Sequence, residues 1–169
     1  ARHAISDWYK RRNINVAPER ILLTSSTSEA YAFLFKLLCN VGDVVAVPQP
    51  SYPLFEYLGR LNDVLTHGYR LAYDGEWHVD TPALDDLLSS NAEALMLVHP
   101  NNPTGSFLKK DERDFILASA QARLVPVIVD EVFGAFPFAE DERRAGSFAG
   151  TNSTLTFTVR VCSSTTSPT

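Results

Sequence analysis

Cysteine is scarce: only Cys39 and Cys162 occur in 169 residues. Two thiols in a domain of this size do not build a disulfide scaffold, and no C-x-x-C spacing offers a metal site. Cys39 lies in an apolar helical stretch, where a thiol behaves as a small hydrophobe. Cysteine usage therefore points to a reducing, cytoplasmic setting. Long apolar runs are missing too, and Ala1 to Arg12 is polar and charged, unlike a signal peptide. No membrane partner is expected. Positive charge is in deficit, with a formal net charge of -5. That leaves no global field to draw in nucleic acid. The basic pairs Lys109-Lys110 and Arg143-Arg144 read as solvated surface. No internal repeat is present. Lysine is confined to Lys10, Lys36, Lys109 and Lys110.

What is present suits one globular domain. Apolar residues make up 45% and charged residues 21%, ordinary values for a packed soluble fold. Ile5, Trp8 and Tyr9 recur at helical spacing. Ile21 to Leu23 reads as a short strand, and a helix follows from about Glu29 to Asn40 with Ala30, Phe33, Leu34, Leu37 and Leu38 on its apolar face. Val44 to Val47 is a buried strand. Prolines 48, 50 and 53 bend the chain before a helix over 54–61, and residues 63–71 read as a strand. Thr81 serves as an N-cap with Pro82 at the first helical position. A strand at Ala94 to Val98, a helix from Lys109 to Ala122 and strands at Pro126 to Val129 and Leu155 to Thr158 complete the pattern. Strands alternating with helices mean an α/β domain with a mainly parallel sheet and helices on both faces.

Ligands of such sheets collect beyond the carboxyl ends of the strands, and three of those ends are chemically distinctive. After Leu23 come Thr24, Ser25, Ser26, Thr27 and Ser28. Hydroxyls and free N–H groups at a helix start suit a phosphate; Ser26-x-x-Glu29 is equally a capping box. After Val98 comes His99-Pro100-Asn101-Asn102-Pro103-Thr104-Gly105. This is either a rigid turn or a turn that offers an amide to a ligand oxygen, and His99 reads as a structural histidine rather than a base. After Val129 comes Asp130. A carboxylate there needs a partner: a cationic ring nitrogen would serve, or Asp130 caps the next loop.

The order T-S-S-T-S-E-A, P-S-Y-P, N-N-P-T-G and V-D-E-V-F resembles the class I/II aminotransferases of fold type I, over nearly all of Ala1 to Phe157. The resemblance implies the large domain of that fold, pyridoxal 5'-phosphate as cofactor, and an α-amino acid and a 2-oxo acid as substrates of a ping-pong transfer. Lyases and decarboxylases of the same fold share these cofactor contacts. It further implies that Ser25, Ser26 and Thr27 hold the phosphate, that Tyr52 stacks on the ring, and that Asn102 bonds the ring 3-oxygen. Asp130 would pair with the pyridine nitrogen. Ser26 stands where the family often has glycine, and Phe133 where much of it has a tyrosine that also meets the 3-oxygen. The parent is expected to be a homodimer.

The family's next motif is S-x-x-K, whose lysine bonds to the cofactor and then moves the substrate proton. Here Val159 to Thr169 follows instead, and it contains no lysine. The expected division is therefore a partial cofactor domain over 1–158 and an aberrant, disordered tail over 159–169 produced by a shifted reading frame. The chain as written is expected to lack catalysis. The alternative is a non-catalytic product that binds pyridoxal phosphate without a covalent link.

Overall fold

The computed structural model describes residues 1–135, 141–151 and 155–162. Helix α1 spans Arg2–Lys10, a single 3-10 turn spans Pro18–Arg20, and α2 spans Thr27–Leu38. Then come β1 (Val44–Gln49), α3 (Leu54–Leu61), β2 (Leu65–Tyr73), β3 (Trp77–Val79), α4 (Thr81–Ser90), β4 (Ala92–Val98), α5 (Lys110–Ala122), β5 (Val127–Asp130) and β6 (Thr156–Val159). The strands form one sheet in the order β3-β2-β1-β4-β5-β6. All pairings are parallel except β2 with β3. The parallel α/β fold with helices on both faces is as expected.

Alternation along the strands divides the core in two. On one face Ala46, Leu95, Leu97, Val127 and Val129 pack against Leu84, Leu87 and Leu88 of α4 and Ile116 and Ala120 of α5. On the other, Val45, Val47, Ala94, Met96 and Ile128 pack against Tyr31 and Phe35 of α2 and Phe55 and Leu58 of α3. Burying each of these large side chains contributes roughly 1.5–3 kcal/mol. The buried Glu112 ties the faces to the sheet edge, accepting from the N–H of Val79 at 2.7 Å and of Lys109 at 2.8 Å.

Several expectations need correction. Ile21 to Leu23 is not a strand: Ile21 has extended dihedrals, but no strand pairs with it among the described residues, and Leu22 and Leu23 are exposed. Helix α4 is capped by Asp80, whose carboxylate accepts from the Ala83 N–H at 3.2 Å, and not by Thr81. β2 begins two residues late because Asn62 and Asp63 form a turn, Asp63 at φ 56°. The buried face of α2 is centred on Tyr31 and Phe35, while Phe33 and Leu37 point to solvent. α2 is apolar nearly all round, so periodicity alone does not choose its inner face. The antiparallel strand β3 was not anticipated.

The boundary drawn after Thr158 falls inside β6, where Val159 pairs with Asp130. Next to it, Arg160 Nη1 lies 3.0 Å from Glu131 Oε2, and its guanidinium sits 4.6 Å from the Trp8 ring centroid. Residues 163–169, the rest of the expected tail, lie outside the described residues.

Candidate functional site

The strand order reverses at β1: β2 lies to one side of it and β4 to the other. In parallel sheets the crevice at such a point, beyond the carboxyl ends, is the natural ligand site. Here it is bounded by the loop after β1, carrying Ser51 and Tyr52, and the loop after β4, carrying Asn101 and Asn102. Asn101 Nδ2 clamps the two loops together, donating to the Pro50 carbonyl at 3.2 Å and to Thr104 Oγ1 at 2.8 Å. The turn closes on Gly105, at φ 71°, a conformation that favours glycine. Asn101 Oδ1 and Ser51 Oγ are buried without a partner among the described residues. Buried polar atoms of this kind are costly unless a partner reaches them.

Asp130 ends β5 next in line, and its carbonyl accepts the His99 N–H at 2.8 Å. Its carboxylate is half-buried. Oδ2 accepts from the Tyr31 hydroxyl at 2.5 Å, and Oδ1 accepts from the Val132 N–H at 2.9 Å. Burial pushes its pKa up, and the two hydrogen bonds oppose that. No cation pairs with it among the described residues.

Helix α2 reaches the site through Tyr31, whose hydroxyl meets Asp130. Ser26 is its N-cap, with Oγ accepting from the Glu29 N–H at 3.2 Å. Glu29 does not complete the reciprocal box. Its Oε2 reaches one residue further back, taking the Ser25 N–H at 2.7 Å and the Ser25 hydroxyl at 2.9 Å. Those two donors hold the Glu29 pKa down. A carboxylate is thus already seated on donors that would also suit a phosphate. Thr27 opens the helix, where the N–H groups of the first turn have no intrahelical carbonyl.

The remaining expected residues are more loosely arranged. Tyr52 is 45% exposed and meets Phe55 edge to face, with centroids 6.4 Å apart. Asn102 is half-buried, and its side chain makes no hydrogen bond among the described residues. Phe133, three residues past Asp130, is 46% exposed. His99 is structural, as expected: Nδ1 accepts from the Leu108 N–H at 2.9 Å, and Nε2 lies 3.0 Å from the Ala145 carbonyl. Sequence reasoning missed Tyr31. Its signal was a hydroxyl-bearing aromatic one helical turn after Thr27, on the face that also carries Leu34 and Phe35.

Residues 1–165 match the family model for aminotransferase class I and II. The chain belongs to that family. Members of the class I and II aminotransferases use pyridoxal phosphate. Among relatives, human tyrosine aminotransferase is 28% identical over 140 residues, covering 83% of this chain and 31% of its own. Among solved structures, N-succinyldiaminopimelate aminotransferase from Mycobacterium tuberculosis superposes with a TM-score of 0.85 at 27% identity, covering 94% of this chain and 42% of that one. Alanine aminotransferase from Pyrococcus furiosus gives 0.78 at 29% identity, covering 85% and 37%. The chain therefore spans about a third to two-fifths of these aminotransferases. No helix of the described residues is long and apolar enough to cross a membrane.

Proposed function

We propose that this chain forms the ring- and phosphate-binding part of a pyridoxal phosphate site, in a protein that transfers an amino group between an α-amino acid and a 2-oxo acid. The observation that carries the reading is Asp130: a half-buried carboxylate at the crevice, held by neutral donors and with no cation beside it among the described residues. A protonated pyridine nitrogen supplies that cation. The unpartnered Asn101 Oδ1 and Ser51 Oγ fit a polar guest in the same crevice.

In this reading each residue has one task. Ser25, Ser26 and Thr27 bind the phosphate at the start of α2, where the helix dipole favours an anion. Glu29 must release the Ser25 donors for that to happen. Tyr52 covers one face of the ring, and Asn102 donates to the 3-oxygen. Phe133 has no hydroxyl to share that oxygen. Asp130 orients the ring and keeps its nitrogen protonated by opposite charge. When bound, the cofactor supplies an electron sink for the α-carbon of the substrate. None of the four lysines serves the crevice: Lys109 Nζ pairs with Glu76 at 2.9 Å, Lys10 and Lys36 are exposed on α1 and α2, and Lys110 is exposed at the start of α5. The chain itself then holds the cofactor without a covalent bond and does not complete the transfer. The parent acts as a homodimer in the cytoplasm.

The test is titration of pyridoxal phosphate into the chain and into Asp130→Ala, followed by absorbance and calorimetry. Losing a charge-assisted bond should weaken binding roughly ten- to a hundred-fold. Equal affinities would refute a pyridinium site and favour an unrelated phosphate ligand.

A further inference from the structure

We propose that Tyr31 is a positioning residue of this site, whose hydroxyl orients the Asp130 carboxylate and offsets the effect of its burial, so that the shared proton stays on the cofactor's ring nitrogen. The inference rests on the cofactor reading given above. It adds a residue that none of the sequence motifs contains.

Two contacts and one spacing carry it. The Tyr31 side chain is 1% exposed, and its hydroxyl lies 2.5 Å from Asp130 Oδ2. Its ring meets Phe55 edge to face, centroids 5.4 Å apart, and Phe55 in turn meets Tyr52. Tyr31 also stands four residues after Thr27 in the same helix. Residues at that spacing share a helix face and are about 6 Å apart along the axis. One side chain thus connects the helix that starts at the phosphate donors, the carboxylate for the ring nitrogen and the aromatic for the ring face.

The chemical consequence follows from competition for one oxygen. A proton between a pyridine nitrogen and a carboxylate rests on the more basic partner. Burial makes a carboxylate more basic, which pulls the proton off the ring. A hydroxyl donated to that carboxylate stabilises its ionised form and makes it less basic. The groups bearing on Asp130 are the Tyr31 hydroxyl from α2 and the Val132 amide from its own turn; Tyr52, from the loop after β1, bears on Tyr31. The Val132 amide cannot be removed by substitution short of proline. The Tyr31 hydroxyl can, and Tyr31→Phe keeps the ring packing against Phe55.

The experiment uses the whole chain with aspartate carboxyls labelled with 13C and pyridoxal phosphate labelled with 15N in the ring. In wild type the bound ring nitrogen should resonate as a pyridinium. In Tyr31→Phe it should move toward the unprotonated pyridine position, and the Asp130 carboxyl of the ligand-free chain should titrate at higher pH. An unchanged ring-nitrogen resonance and an unchanged carboxyl midpoint would overturn the proposal. Asp130→Ala separates the two levels. If it binds the cofactor like wild type, the site reading fails and the role of Tyr31 fails with it. If it loses binding while Tyr31→Phe is silent in both spectra, only the role of Tyr31 fails.

Discussion

Replacing His99 by Gln should remove a defined part of the protein's sensitivity to acid. The His99 side chain is buried at 3% exposure, between the Leu108 N–H and the Ala145 carbonyl. A carbonyl only accepts, so Nε2 carries the proton and Nδ1 is the acceptor. Adding a second proton at Nδ1 would set two N–H groups against each other. Burial, the largest cause, lowers the pKa from 6.5 to about 4. Between those values the unfolded chain binds a proton that the folded one refuses. Stability from this group is therefore complete above about pH 6.5 and is lost as pH falls toward 4. At about 1.36 kcal/mol per unit the full effect is about 3 kcal/mol, and roughly 2.5 kcal/mol is lost between about pH 7.5 and 4.5. Asp130 and Glu131 work in the opposite direction, because burial raises both carboxyls and so favours the folded state as they protonate. They are common to both proteins and cancel in the difference. Urea unfolding of wild type and His99→Gln at the two pH values gives that difference. The wild type's lead should shrink by about 2.5 kcal/mol on acidification. A lead that does not change with pH would sink the assignment of a buried neutral imidazole.

Arg160→Ala should destabilise the chain by roughly 3–5 kcal/mol at neutral pH, because it strands the buried carboxylate of Glu131. Glu131 keeps the Ser147 hydroxyl and the Phe148 N–H as donors, and burial raises its carboxyl above the ordinary range, so the penalty should shrink as the solution is acidified and Glu131 takes up a proton; a penalty independent of pH would point to lost packing on Trp8 instead. Glu29→Gln should strengthen pyridoxal phosphate binding about two- to five-fold by removing a like charge from the Ser25 donors. Calorimetry in low salt reads it directly, and weaker binding would mean that the Glu29 carboxylate helps to shape the cradle.

The parts of the fold that could be read from the chain are those that local chemistry decides. Val44 to Val47, Ala94 to Val98 and Val127 to Val129 are unbroken apolar runs closed by prolines, asparagines or a carboxylate, and each became a central strand. α3 came out as Leu54–Leu61 because the preceding prolines leave it no other place to start. Ile21 to Leu23 failed because a strand needs a neighbour, and β propensity does not report whether one exists. β3 is three residues long, and the turn at Asp74 to Glu76 positions it more than any pattern of its own. The same division runs through the site. Asp130 was visible as a charge directly after a buried run. Its partner Tyr31 lies 99 residues earlier in the chain, and no local rule links the two. Arg160 falls in the segment set apart because the family's S-x-x-K motif does not follow, and only the folded chain brings its guanidinium to Glu131 and Trp8.

In the proposed site, cofactor recognition would sit in one contiguous stretch, and none of the four lysines would serve the crevice. On the proposed reading, ring nitrogen, ring face and phosphate would be met by two strand ends, one loop and one helix start. All belong to a sheet whose order reverses at β1, so their spacing is set by strand separation and helix rise rather than by loop length. A residue that must bond to the cofactor and then shuttle a proton has a different requirement, namely freedom to move between two positions. Rigid recognition and mobile chemistry are therefore best carried by different segments. On that argument, supplying a lysine-bearing segment in trans should change what happens to a bound substrate far more than how tightly the ring and phosphate are held.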